Sequence, residues 1–223
     1  MPPVFAIAII AAYLIGSIPF GLLITAAHGK DLRKIGSGNI GATNVARALG
    51  KKWAYVSFVL DLLKGLVPML LIQPLAEAYP GQTQTEYVTL MFLWLAVGCA
   101  AIIGHIFPIY LKFKGGKGVA TSFGVALGLW PYFTISALFA VCIWLVVVLI
   151  WRYVSLASIV ASVAFPIFLF FAISLRQSWH FASLWPLVVA AVAIPLMVII
   201  RHRENIKRLL AGTEHKIHKE KTK

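Results

Sequence analysis

VATSFGVALGLWPYFTISALFAVCIWLVVVLIW, residues 119–151, is an unbroken apolar stretch, and how it divides decides how the chain is threaded. As one helix it would be about 50 Å long, against roughly 30 Å of hydrocarbon in a bilayer. Only extreme tilt would fit it into one crossing. Two divisions are open: one overlong span, or a short helix to about Leu129 and a second beginning after Trp130-Pro131.

Positive charge chooses between them, because cytoplasmic loops collect Lys and Arg. The clearer spans are 4–27, 53–75, 87–110, 155–175 and 181–200. Between the first two stand Lys30, Arg33, Lys34, Arg47, Lys51 and Lys52, and residues 111–118 carry Lys112, Lys114 and Lys117. The C-terminal segment carries Arg201, Arg203, Lys207, Arg208, Lys216, Lys219, Lys221 and Lys223, while 76–86 has Glu77, Glu86 and no base. Two helices in 119–151 put every basic cluster, with Arg152, on one side and leave only Arg176 opposite. One helix would send the basic tail across. The sequence therefore predicts an all-α polytopic membrane protein of seven helices, one of them short. Its N-terminus is expected outside and its C-terminus in the cytoplasm.

Composition agrees. Hydrophobic residues are 61% of the 223 and charged residues 12%, far more apolar than a soluble domain of this size can bury. The first run has no basic n-region and contains Gly16, Pro19 and Gly21, so it reads as a retained span rather than a cleaved signal. Cys99 and Cys142 lie in apolar runs without metal-ligand spacing. No repeat and no soluble domain is visible. The expected organisation is a single membrane domain over 1–217 and a basic cytoplasmic tail over 218–223.

Three segments on the cytoplasmic side are richer than connectors need to be. Residues 36–47, GSGNIGATNVAR, combine three glycines with Ser37, Asn39, Thr43 and Asn44 and end on Arg47. Exposed backbone N–H groups suit an anion, and an arginine can clamp phosphate bidentately. The alternative is an ordinary polar loop with a flanking arginine. Residues 104–108, GHIFP, and 113–121, FKGGKGVAT, place glycines around Lys117 directly before a helix, an N-terminal anion site with a cation beside it. It is not a Walker A loop, since Leu111 holds the first glycine's place and Gly118 follows the lysine. Lysines at a helix end explain Lys112 and Lys114 but not the glycines. In the third segment, from Arg201, a continuing helix would set His202 and Asn205 on one face at i, i+3 until Gly212 ends it. The alternative is a basic tail on anionic lipid. Asp61 and Lys64, at i, i+3 inside the second span, are open to an ion-pair or a catalytic reading.

With Gly16-Ser17-Ile18-Pro19-Phe20-Gly21, these motifs resemble the bacterial acyl-phosphate:glycerol-3-phosphate acyltransferase family, PlsY, from about residue 4 to 217. The resemblance implies transfer of a fatty acyl group from acyl phosphate to the 1-hydroxyl of sn-glycerol 3-phosphate, giving lysophosphatidic acid and phosphate. It implies an active site on the cytoplasmic face of the bacterial plasma membrane. It implies no cofactor, no metal and no nucleic-acid partner, and leaves the oligomeric state open. Carried over by similarity, Ser37 and its glycine nest (Gly38, Asn39, Gly41, Thr43, Asn44) would hold the acyl-phosphate head. Arg47 and Lys117 would neutralise phosphate, the Gly115, Gly116 and Gly118 turn would approach glycerol phosphate, and His202 and Asn205 would orient the polyol. His105, Ser155 and Glu214 join as substrate ligands, although Ser155 and Ser158 could equally be helix caps.

No histidine has Asp five residues on, the pattern of the soluble-type acyltransferases, and His105 has no carboxylate nearby in sequence. Acyl phosphate is already activated, so positioning and charge stabilisation suffice. The expected mechanism is direct attack by the glycerol hydroxyl, with a substrate phosphate oxygen taking the proton. A transporter of an organic phosphate is the alternative. Transporters, however, tend to bind near the midplane between paired repeats, and here the polar motifs lie at the surface.

Overall fold

The computed structural model describes residues 3–78 and 83–217; the tail expected over 218–223 lies outside them. Among the described residues there are helices and turns and no strands. The helices are α1 (Pro3–Gly16), α2 (Phe20–Ala27), α3 (Ala42–Leu49), α4 (Lys51–Ala78), α5 (Gln84–Ile106), α6 (Val119–Gly128), α7 (Thr134–Trp151), α8 (Val154–Leu175), α9 (Phe181–Arg201) and α10 (Arg203–Leu210). Six segments are long and apolar enough to cross a membrane, α1 and α2 together making the first, and α6 is a shorter apolar helix.

The stretch 119–151 is two helices, as charge requires. Leu129 is the C-cap of α6, and residues 130–133 turn the chain into α7. With 10 residues, α6 spans about 15 Å, half a bilayer. Its C-terminal carbonyls would be stranded in hydrocarbon, but the Thr134 hydroxyl donates to Leu127 O at 3.0 Å.

The most buried span is α5, which packs on α1, α4, α6 and α9. Close contact is made by small residues, as bilayers favour. A Cβ on Gly124 would overlap the carbonyl oxygen of Leu62, and one on Gly65 would overlap that of Thr121. So α4 and α6 touch backbone to backbone. Gly16 stands likewise against Ala101, and Gly104 against Tyr13, joining α1 to α5.

Two elements differ from the sequence expectation. The first span is not one helix. Pro19, which has no N–H to donate, interrupts it at 17–19, and α2 starts afresh. The last span does not run on through His202 either. That residue has φ −95° and ψ 6°, closing α9 and opening α10. Gly212 ends α10 as expected. Its φ is +68°, and the N–H groups of Gly212 and Thr213 return to the carbonyls of Leu209 and Arg208 in a Schellman turn.

The α4–α6 contact yields a test. Gly124→Ala should lower thermal stability in detergent by about 1–3 kcal/mol, the usual cost of overpacking. Gly29→Asn should change it by less than about 0.5 kcal/mol. Gly29 has φ +69° with nothing within 4 Å of a Cβ, a conformation asparagine tolerates. Equal melting of both variants would contradict this packing.

Candidate active site

The basic segments meet at one end of the bundle. The loop before α3 is folded by its own polar groups. Asp31 opens a short 3-10 turn, Leu32–Lys34, and Gly36 and Gly38 adopt positive φ. Asn44 on α3 is 1% exposed. Its amide donates to Leu32 O, Ile35 O and Asn39 O, and its Oδ1 accepts from Ser37 N. Beneath this lies an apolar cluster of Leu32, Ile40, Val45 and Ala48. Asn44 is thus spent on shaping the loop, and Asn39 in part, since its Oδ1 accepts from Gly41 N at 2.9 Å. The Ser37 and Thr43 hydroxyls and the Arg47 guanidinium keep their hydrogen-bonding capacity among the described residues.

The second segment turns back on α5. Gly116 N donates to His105 O at 3.0 Å and Gly115 N to Ile106 O at 3.2 Å. A Cβ on Gly116 would overlap the Nε2 of His105, and one on Gly115 would overlap His105 O, so the turn needs glycine at both. Gly118, φ +86°, is the N-cap of α6. Arg201 holds the turn from outside. Its Nη2 donates to Gly115 O at 3.3 Å and Gly116 O at 3.2 Å, and its guanidinium lies 5.6 Å from the Phe107 ring. Between the first loop and this turn is an open cleft of about 430 Å³ lined by Arg33, residues 37–40, residues 113–115 and Arg201.

The third segment is organised by one carboxylate. Glu214 Oε1 accepts from Asn205 Nδ2 at 2.7 Å and from Ser155 Oγ at 2.8 Å, and Oε2 accepts from Arg208 Nε at 2.6 Å. These bonds outweigh the upward push of burial and hold the Glu214 pKa below the ordinary carboxylate range. With Nδ2 so engaged, Asn205 turns Oδ1 toward Lys117, whose Nζ donates to it. Ser155 is not a cap, because Tyr153 holds that position on α8, and Ser158 donates to Val154 O and accepts from Trp144.

Lys117 loses solvent to burial, which moves its pKa down to about 8. The Glu214 charge opposes that fall, and Arg208, Arg47 and Arg201 add to it. His202 is moved to about 4, first by burial and then by the Lys117 charge, so it is neutral at physiological pH. Its Nδ1 sits 2.7 Å from Val198 O. A neutral ring donating there leaves Nε2 as an acceptor.

The structure therefore brings together Arg47, Lys117, His202, Asn205, Ser155 and Glu214, and sets Ser37, Gly38, Asn39 and Gly115 around the adjoining cleft. His105 stands apart. It is 5% exposed, beneath Gly116 rather than beside the cleft, and its Nδ1 lies 3.6 Å from the Asp61 carboxylate. Sequence reading offered it no such partner. Asp61 also pairs with Lys64 at 2.7 Å. In the sequence Arg201 and Arg208 are flanking charge and no more. Nothing in the sequence marks a flanking arginine as one that grips glycine carbonyls or a carboxylate.

Residues 6–212 match the family described as Glycerol-3-phosphate acyltransferase. A glycerol-3-phosphate acyltransferase of Trichlorobacter lovleyi is 45% identical over 208 residues, covering 93% of this chain and 95% of that one. One of Aquifex aeolicus is 43% identical over 210 residues, covering 93% and 96%. Among solved structures, the glycerol 3-phosphate form of PlsY (YgiH), an integral membrane glycerol 3-phosphate acyltransferase, superposes with a TM-score of 0.79 at 41% identity, covering 96% of both chains. The lysophosphatidic acid form of PlsY gives 0.77 at 40% identity, covering 96% of this chain and 95% of that one. Matched over nearly its whole length, and carrying its polar motifs on one end of the same helical bundle, the chain belongs to the glycerol-3-phosphate acyltransferase family.

Proposed function

We propose that this protein transfers a fatty acyl group from acyl phosphate to the 1-hydroxyl of glycerol 3-phosphate, releasing phosphate and leaving lysophosphatidic acid in the inner leaflet of the bacterial plasma membrane. The observation that carries this is an excess of cations at one end of an apolar bundle. Arg47, Arg201 and Arg208 all act on Lys117, and one carboxylate, Glu214, stands among them, while both substrates are phosphate anions. An acyl chain can lie along the spans while its phosphate meets this end. In this reading residues 1–217 are one catalytic membrane domain, the N-terminus is outside, and the site faces the cytoplasm, where glycerol 3-phosphate is soluble.

Ser37, the residue 36–41 loop and Arg47 receive the acyl-phosphate head, and Lys117 with the 115–118 turn receives the phosphate of glycerol 3-phosphate. The 1-hydroxyl attacks the acyl carbon, the C–O bond to phosphate breaks, and the cations stabilise charge gathering on the departing oxygen. No side chain of this cluster suits the role of base. Glu214 is occupied by three donors, and His202, at about 4, is a weak base at neutral pH. A phosphate oxygen of the substrate takes the hydroxyl proton, and His202 Nε2 and Asn205 orient the polyol.

Purified protein in detergent, given palmitoyl phosphate and glycerol 3-phosphate, should release inorganic phosphate. Uptake of glycerol 3-phosphate into liposomes without such turnover would refute the reading. Arg47→Ala and Lys117→Ala should each lower turnover by at least about 10³-fold, the scale of lost transition-state charge stabilisation, while eluting as folded protein. Activity retained in both would mean the site is elsewhere.

The pH profile is a separate test. Lys117 must be charged to hold phosphate, and its pKa in the free enzyme is lowered to about 8. So kcat/KM, which reports the free enzyme, should fall as pH rises through 8. The limb in kcat should lie at higher pH, since a bound dianion favours the ammonium. Lys117→Arg, if active, should lose the limb in kcat/KM. A limb that survives in that variant would belong to another group.

A further inference from the structure

The reaction derived above leaves unused the motif at 16–21 and three titratable side chains beneath the site. Lys64 is 3% exposed, and its Nζ donates at 2.9 Å to Ile18 O, which also accepts from Phe20 N at 3.2 Å in the turn that breaks the first span. The same ammonium is 2.7 Å from Asp61 Oδ1, which also faces His105 Nδ1 at 3.6 Å. No hydrogen-bond partner lies closer to that nitrogen. On its far side the ring carries Nε2 up against Gly116. Asp61 reaches the other flank of the turn through its backbone, since Thr121 Oγ1 donates to Asp61 O at 2.9 Å.

We propose that Asp61 and His105 are positioning residues that set the height and orientation of the 115–118 turn, with Lys64 anchoring them to the broken first span. This rests on the reading of that turn as the glycerol 3-phosphate site. Both ends of the turn are referred to one residue: Gly116 rests on the His105 ring that Asp61 faces, and the first turn of α6 hangs from the Asp61 carbonyl. Gly116 lies directly against the His105 ring, so the ring acts on the turn by supporting it. Charge is costly at this depth, and an apolar pair of like volume would join α4 to α5 without that cost. What an apolar pair lacks is direction. A carboxylate fixes which ring nitrogen carries the proton and how the ring stands, and Lys117, next to Gly116, inherits that orientation.

The test compares full-length wild type with His105→Ala, His105→Gln and Asp61→Asn in detergent. It reads kcat, KM for each substrate, the melting midpoint and amide exchange over 115–118. His105→Ala leaves the Asp61–Lys64 pair intact, and Asp61→Asn keeps shape while removing charge, so one failed fold does not void the test. His105→Ala should raise KM for glycerol 3-phosphate about tenfold, the scale of one lost polar support. KM for palmitoyl phosphate should stay within twofold of wild type, exchange over 115–118 should quicken, and the melting midpoint should hold. Glutamine should recover part of the loss. Unchanged KM and unchanged exchange would overturn the proposal. So would a rise in KM that merely follows falling stability and faster exchange everywhere, which is what a purely structural role gives. Failure of wild type to release phosphate would refute the enzymatic reading instead, and the exchange measurement would still decide the positioning role.

Discussion

A lipid interior offers no water to an interrupted helix, and this molecule breaks its first span at 17–19 and stops α6 halfway across. Each interruption has to be met by a side chain from another helix. Lys64 joins Phe20 N on the Ile18 carbonyl in the break before α2, and Thr134 meets the end of the half-length α6. The ammonium at Lys64 then requires a counter-charge, which is Asp61, and that carboxylate is where the helix carrying His105 comes in. The breaks let backbone and glycine turns approach the surface at defined heights, and the buried pair makes the breaks tolerable in hydrocarbon.

Charge at the surface follows a different logic. Burial brings Lys117 down to about 8, and the charges of Arg208, Arg47 and Arg201 add to that fall against the pull of one glutamate. Such a cluster is stabilised by whatever anion occupies it, so the bound protein should be the more stable one. Glu214 is best understood inside that balance. It is far too occupied to handle a proton, and its effect is to keep the Asn205 amide in one orientation, with its oxygen toward Lys117. The cations toward the site are thereby separated from those that only orient the chain, such as Lys112, which is exposed and ends a 3-10 turn.

The threading was legible in the sequence because length and charge bias are properties of a line. Residues 119–151 are too long for one crossing, and only a turn near Trp130-Pro131 keeps the basic loops together, as α6 and α7 bear out. Motif glycines were legible as turns for the same local reason. Pairings made across the bundle were not. His105 and Asp61 stand on different helices, and no spacing rule connects them. Asn44 read as a ligand because short polar residues in a glycine loop usually face outward, yet here three carbonyls converge on its amide and consume it. The break at His202 was hidden too, since the residues on either side are ordinary helix formers.

Glycine shows how one residue type can carry two meanings that sequence alone does not separate. In α4 and α6, Gly65 and Gly124 are absences that let helices touch, and their backbone angles are unexceptional. At Gly36, Gly38 and Gly118 the backbone turns through positive φ, a conformation other residues resist. Gly116 belongs to neither set alone. Its φ is unremarkable, and it sits in a surface turn, yet what forbids a side chain there is a histidine ring from below. That makes Gly116 the point where the membrane-buried network touches the turn that carries Lys117. A turn independent of the core would have no reason to press a glycine against a buried imidazole, so at this residue the buried network and the surface turn share one geometry.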